Sequence, residues 1–199
     1  GVWDKKRYSV AAGVYGSSIG IVGTGAIGLA VAERAHAFGM QVVVIDKPNR
    51  SAATTAVLDT VGARSVADLK TLAQTCDIVS MHVPAAPETK GMVNAEFLSH
   101  MRDGAMLINT SRGDVVEEAA LLEALDSKGL RAGLDVYADE PASGQADFSS
   151  AIAQHPNVYG THHIGASTTQ AQDAVAEGVV DILKAYDKGE VLHCVNPAD

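Results

Sequence analysis

The run Ile19-Gly-Ile-Val-Gly-Thr-Gly-Ala-Ile-Gly28 decides the fold. Its first half, residues 18–22, is a short apolar run that reads as a strand, and residues 25–38 read as a helix that Gly39 is placed to stop. Gly23, Gly25 and Gly28 fall at the turn between them, in the pattern G-x-G-x-x-G. That pattern is weak alone and gains meaning between a strand and a helix. Gly23 permits the tight turn, Gly25 lets the backbone approach a pyrophosphate, and Gly28 lets the helix lie close to the strand. The free N–H groups of the first helical turn, at the positive end of the helix dipole, then hold a diphosphate.

Outward from this run, residues 40–45 hold the unbroken β-branched run Val42-Val-Val-Ile45. They read as a parallel strand buried on both faces. Asp46 ends it, eighteen residues beyond Gly28. A carboxylate there accepts hydrogen bonds from adenosine ribose hydroxyls and repels a 2′-phosphate, which favours NAD over NADP. Lys47 and Arg50 pull the other way, because a basic side chain accommodates that phosphate.

The alternation continues along the chain. Helical stretches are expected at 51–61 and 66–74, with room for a short strand between them, and at 117–128. Strands are expected at 77–82, 105–110, 132–136 and 158–161. In the last helix Ser167 and Gln170 read as a capping box, followed by Val175, Val179, Ile182 and Tyr186 at three-to-four spacing. Residues 139–147, with Pro141 and Gly144, read as an exposed loop. The expectation is an α/β, doubly wound parallel sheet (a Rossmann fold) over 13–188. Segments 1–12 and 189–199 lead out of it.

Composition agrees. The chain has 199 residues, 47% of them hydrophobic, which suits one domain with a sizeable core. Fifteen basic residues stand against 24 acidic ones, a net charge of −9. That sign disfavours nucleic acid and anionic membrane as partners, and no apolar run is long enough to span a bilayer. Nothing reads as a signal peptide. Cys76 and Cys194 lie far apart with no metal-ligand spacing, which fits a reduced, cytoplasmic setting and no metal. The numbering starts at a glycine, so a trimmed piece of a longer protein is expected.

Three further segments lie at the ends of expected strands, where open α/β sheets bind ligands. They are Ile108-Asn-Thr-Ser-Arg-Gly-Asp114, Leu134-Asp-Val-Tyr-Ala-Asp-Glu-Pro141 and Thr161-His-His-Ile-Gly-Ala-Ser-Thr168. Together they offer a guanidinium, a carboxylate and an imidazole beside a dinucleotide. Arginine binds a carboxylate through two bonds and polarises the carbonyl next to it. Histidine exchanges a hydroxyl proton near neutral pH, and a neighbouring glutamate favours its charged form. That set suits reversible hydride transfer to a 2-keto acid. Adjacent histidines at 162 and 163 point in different directions, so a metal pair is disfavoured.

These segments, with the glycine motif, closely resemble the D-2-hydroxyacid dehydrogenase family from Gly1 to about Pro197. The resemblance implies Arg112 as the substrate-binding arginine, Glu140 as the glutamate supporting the histidine, and His163 as the acid–base. It implies cofactor contacts at Ala26 and Ile27 by the diphosphate, Asp46 at the ribose, Val83 in the His-Val-Pro loop, Thr110, Ser111 and Asp135. The family often has proline where His162 stands, which leaves a swapped role for His162 open, and often arginine where Ala26 stands. Within the family, His163-Ile-Gly-Ala-Ser-Thr168 with Gln170, Ala171 and Gln172 most resembles the members that oxidise 3-phosphoglycerate to 3-phosphohydroxypyruvate on the way to serine. A glyoxylate or hydroxypyruvate reductase would share the same residues, and a non-catalytic NAD-sensing corepressor-like protein would keep similar ones. The family also implies a second, substrate domain built from chain on either side of this one, and a homodimer through this domain. The piece is accordingly expected to bind NAD and to turn over its 2-hydroxy acid substrate poorly.

Overall fold

All five residues of β1 (Ser18–Val22) are buried, and burial on both faces is possible only inside a covered sheet. The structure is a computed structural model describing residues 1–9 and 11–194, without the side chains of Arg7 and Tyr8. Part of the expected closing segment, 195–199, therefore lies outside the described residues, as does Val10. The chain forms two compact units, a larger one from Gly1 to Thr161 and a smaller one from His162 onward.

The larger unit is one seven-stranded parallel sheet in the order β3-β2-β1-β4-β5-β6-β7. Its other strands are β2 (Gln41–Ile45), β3 (Arg64–Val66), β4 (Ile78–Met81), β5 (Met106–Asn109), β6 (Arg131–Leu134) and β7 (Val158–Gly160). A short α1 (Lys5–Tyr8) precedes the sheet. The connecting helices are α2 (Ala26–Ala37), α3 (Ala52–Thr60), α4 (Leu69–Thr75), α5 (Ala95–His100) and α6 (Glu118–Ser127). This is the expected doubly wound Rossmann arrangement. One face of the sheet packs Ile19, Ile21, Val42 and Val44 against Ala32, Ala35 and Leu58. The other packs Val43, Val79, Met81 and Leu107 against α4, α5 and α6, through Leu72, Phe97, Leu98, Leu121 and Leu125. The strand order reverses between β1 and β4, which makes their carboxyl ends the switch point where such sheets bind ligands.

Local chemistry sets the helix boundaries. Ser51 and Asp68 cap α3 and α4, their side chains accepting from the N–H groups of Thr54 and Thr71. Residues 66–68 are thus not helical as expected: Val66 closes β3, and the helix starts after the Asp68 cap. Helix α5, absent from the sequence expectation, is capped by Asn94, whose Oδ1 accepts from the Phe97 N–H at 2.9 Å. In the smaller unit, α7 (Thr169–Asp187) starts one residue later than the expected capping box. The Thr168 hydroxyl, rather than Ser167, accepts from the Ala171 N–H at 3.2 Å. The apolar residues read along α7 (Val175, Val179, Ile182 and Tyr186) are exposed.

At the amino edge β1 and β4 are tied together. Asp77 Oδ2 accepts from both the backbone N–H and the hydroxyl of Ser18, at 2.8 and 2.7 Å, and Oδ1 accepts from Arg102 at 2.8 Å. The Ser18 bonds foremost, then the Arg102 bond and charge, hold the Asp77 carboxyl below the usual carboxylate range. Among the described residues, no helix is long and apolar enough to cross a membrane.

Candidate functional site

Gly23 leaves β1 with φ +100°, a region that side chains disfavour. A Cβ there would sit 2.2 Å from the His82 carbonyl oxygen, so the turn is pressed against the exit of β4. The His82 N–H donates to the Val22 carbonyl at 2.7 Å and closes that exit. Gly28 lies as close to the turn: a Cβ on it would meet the Gly23 carbonyl oxygen at 2.0 Å. Gly25, in contrast, opens onto empty space and begins α2 with no side-chain cap. The first helical bond is Leu29 N–H to Gly25 at 2.9 Å, so the N–H groups of Ala26, Ile27 and Gly28 precede the ladder. Two glycines that no side chain can replace and a third facing open space form a cradle that fits a diphosphate.

Asp46 follows β2 on the surface, its N–H bonded to the Val66 carbonyl at 2.7 Å. Arg50 folds back over it, with Nη1 3.9 Å from Asp46 Oδ1 and Nη2 donating to the Ile45 carbonyl. Beside them lies a cavity of about 460 Å³, lined by Thr24, Lys47, Asn49, Arg50, Ser51 and Thr54 among others. Val83 is half-buried against the turn, its Cγ1 3.2 Å from a Cβ built on Gly23.

The second cluster lies where β5 and β6 end. Asn109 organises it, buried to 1% exposure. Its Oδ1 accepts from the N–H and hydroxyl of Ser111, at 3.1 and 2.8 Å, and its Nδ2 donates to the Arg112 carbonyl at 2.8 Å. Its own carbonyl accepts from the Asp135 N–H at 3.0 Å. One amide thus fixes the backbone carrying Thr110, Ser111 and Arg112 and joins it to the next strand. Arg112 is exposed, its guanidinium donating to the Ser111 carbonyl at 2.7 Å. Asp135 is buried and accepts from the Thr161 hydroxyl at 2.5 Å.

Gly113 presses directly on the Asp135–Glu140 loop: a Cβ on it would fall 2.0 Å from the Tyr137 carbonyl oxygen and 2.7 Å from the Ala138 nitrogen. That loop is held by two carboxylates. Glu118 accepts from the Ala138 N–H at 2.8 Å, and Glu140 accepts from the Tyr137 N–H at 3.5 Å. Burial, then the nearby Asp135 and Glu118 charges, push the Tyr137 phenol up. Arg112, Asp135 and Glu140 therefore share one edge of the larger unit with the glycine turn. His163 lies in the smaller unit, exposed, with φ +54°. Neither Asn109 nor Thr161 stood out in the sequence. The signal for Asn109 was a lone amide closing an otherwise apolar strand.

His82 is half-buried at the end of β4, with Nε2 2.9 Å from the Ser80 hydroxyl. Burial pushes its pKa below the ordinary 6.5. The unfolded chain therefore takes up a proton near pH 6.5 that the folded chain takes up only at lower pH. The stability this group contributes is complete above that point and is lost as pH falls towards the folded value. Between pH 7.5 and 5.5 the urea midpoint is expected to fall, and in H82Q, which can still bond Ser80, to stay flatter. Equal slopes in the two proteins would count against this assignment.

Residues 1–165 match the family described as D-isomer specific 2-hydroxyacid dehydrogenase, NAD binding domain. D-3-phosphoglycerate dehydrogenase of Escherichia coli strain K12 is 39% identical over 98% of the chain, which spans 46% of that relative. Among solved structures, apo D-mandelate dehydrogenase of Rhodotorula graminis aligns with TM-score 0.82 and 31% identity, over 96% of this chain and 53% of that one. D-lactate dehydrogenase of Aquifex aeolicus, complexed with NAD and lactic acid, aligns with TM-score 0.76 and 33% identity, over 91% of this chain and 56% of that one.

Proposed function

The chain belongs to the D-isomer specific 2-hydroxyacid dehydrogenases as their NAD-binding domain, and from that premise we propose that the protein carrying it oxidises 3-phosphoglycerate to 3-phosphohydroxypyruvate. The observation behind this substrate is the similarity to D-3-phosphoglycerate dehydrogenases, 39% identical in Escherichia coli and 37% in Bacillus subtilis, over 98% of the chain. NAD, when bound, supplies the hydride acceptor.

The protein's own residues supply the rest of this reading. The N–H groups of Ala26, Ile27 and Gly28 hold the diphosphate, with Gly23 and Gly25 shaping the turn, and Asp46 accepts from the adenosine ribose. Val83, Thr110, Ser111 and Asp135 line the remainder of the dinucleotide site. Arg112 takes the substrate carboxylate, and His163 receives the hydroxyl proton as C2 gives up its hydride. Glu140 serves as the carboxylate partner of that chemistry. A 3-phosphoglycerate enzyme of this kind commits carbon to serine.

The chain spans less than half the length of the Escherichia coli relative. The test therefore has two arms. Calorimetry of these 199 residues is expected to show NAD binding with little or no turnover. NADH formation by the whole protein, across a panel of 3-phosphoglycerate, glycerate, lactate and mandelate, is expected to favour 3-phosphoglycerate by roughly a hundredfold in kcat/KM. A site built for a phosphate is left with unpaired donors by an analogue lacking it. Equal rates with lactate would overturn the substrate, and faster reduction of glyoxylate would favour a reductase instead.

A further inference from the structure

We propose that the cavity behind Asp46 is a second anion site, shaped for the adenosine 2′-phosphate, so that the chain takes NADP as well as NAD. The inference rests on the dinucleotide reading above and concerns only the far end of the same ligand.

Three observations converge. The first is charge. Acidic residues outnumber basic ones by nine in this chain, 24 against 15, yet the cavity is lined by Lys47 and Arg50 and by no carboxylate. Its other polar lining is Thr24, Asn49, Ser51 and Thr54, all capable of donating to phosphate oxygens. At about 460 Å³ it has ample room for the group. Thr24 belongs to the glycine turn itself, so the cavity is continuous with the diphosphate cradle.

The second is Arg50. Its side chain is only 12% exposed, and its Nε is buried without a hydrogen-bond partner. Leaving a charged donor unsatisfied out of water is costly, and a small shift of the side chain toward an acceptor in the cavity would relieve it. The guanidinium is tethered by its bond to the Ile45 carbonyl and already lines the cavity before any ligand arrives.

The third is the state of Asp46. A carboxylate at this position ordinarily repels a 2′-phosphate. Here it stands 71% exposed with Arg50 Nη1 3.9 Å away, so solvent screens its charge and a cation balances it. That pairing lowers the repulsion a second anion meets in the cavity.

The experiment is a titration of the 199-residue chain with NADH and with NADPH, followed by nicotinamide fluorescence at one fixed ionic strength. NADPH is expected to bind within about tenfold of NADH. Lys47→Ala, at an exposed position, is expected to weaken NADPH by roughly tenfold, the scale of one charge-assisted contact, while NADH changes less than about twofold. Arg50→Ala repeats the selectivity with a larger loss, and its melting temperature shows whether the loop survives. Asp46→Asn is expected to strengthen NADPH and weaken NADH. Tight NADH binding with NADPH more than about a hundredfold weaker would overturn the inference and leave the dinucleotide reading standing. So would a Lys47→Ala loss equal for both ligands. Binding of neither would overturn both.

Discussion

Gly23→Ala is expected to weaken NAD binding by about a hundredfold and to lower the melting temperature by roughly 6–12 °C. Two costs combine. An alanine at φ +100° is strained by about 1–2 kcal/mol. Its methyl would also lie 2.2 Å from the His82 carbonyl oxygen, and backbone cannot rotate away as a side chain can. Overpacking of that kind adds about 1–3 kcal/mol. A total near 3 kcal/mol corresponds to the stated shift for a domain of this size. Separating β1 from β4 also tilts the three N–H groups away from the diphosphate, an expected affinity loss of about a hundredfold. Gly25→Ala is the control, because its methyl would meet nothing within 4 Å. Its melting temperature is expected to hold while NAD affinity falls, since the methyl enters the cradle. Calorimetry and thermal melts on the two variants read both quantities. Unchanged NAD affinity in Gly23→Ala would remove the glycine turn from the binding site.

Gly113→Ala has the second-largest effect, with the opposite signature. The new methyl would lie 2.0 and 2.1 Å from the Tyr137 carbonyl oxygen and carbon, and 2.7 Å from the Ala138 nitrogen. All three are backbone atoms, so the Arg112 segment and the Asp135–Glu140 loop must part. The expected loss is about 2–3 kcal/mol of stability. ADP-ribose, which lacks the nicotinamide, is expected to bind within about twofold of wild type, because the glycine turn is on other strands. In the whole protein kcat/KM is expected to fall by roughly a hundredfold, since a misplacement of about 1 Å costs that much. Normal melting and normal turnover would show that the two segments need not touch.

The fold was legible because burial writes itself into composition. Residues 19–22 and 42–45 carry no polar side chain, and a strand covered on both sides needs that. The glycine turn was equally open to reading, since positive φ and close approach admit one residue type. What escaped notice was short or long-range. Helix α5 has six residues, too few to show a period, and only its Asn94 cap announced it. The start of α7 was misjudged by one position because Ser167 and Thr168 are both good caps, and the choice between them is made by backbone geometry. Asn109 was visible as a residue and silent as a partner. Its bonds reach Asp135, and no local pattern encodes a contact across strands. For the chemistry at Arg112, Glu140 and His163, the residues alone offered a plausible set, and the family resemblance assigned the roles.

Strands β1 and β4 are fastened at both ends, by Asp77, Ser18 and Arg102 at one and by the His82–Val22 bond at the other. The pair flanking the switch point is therefore a stiff plank with no hinge of its own. An incoming dinucleotide finds its seat already assembled there, and little affinity is lost to ordering the protein. Whatever suppleness catalysis demands must come from outside this pair of strands.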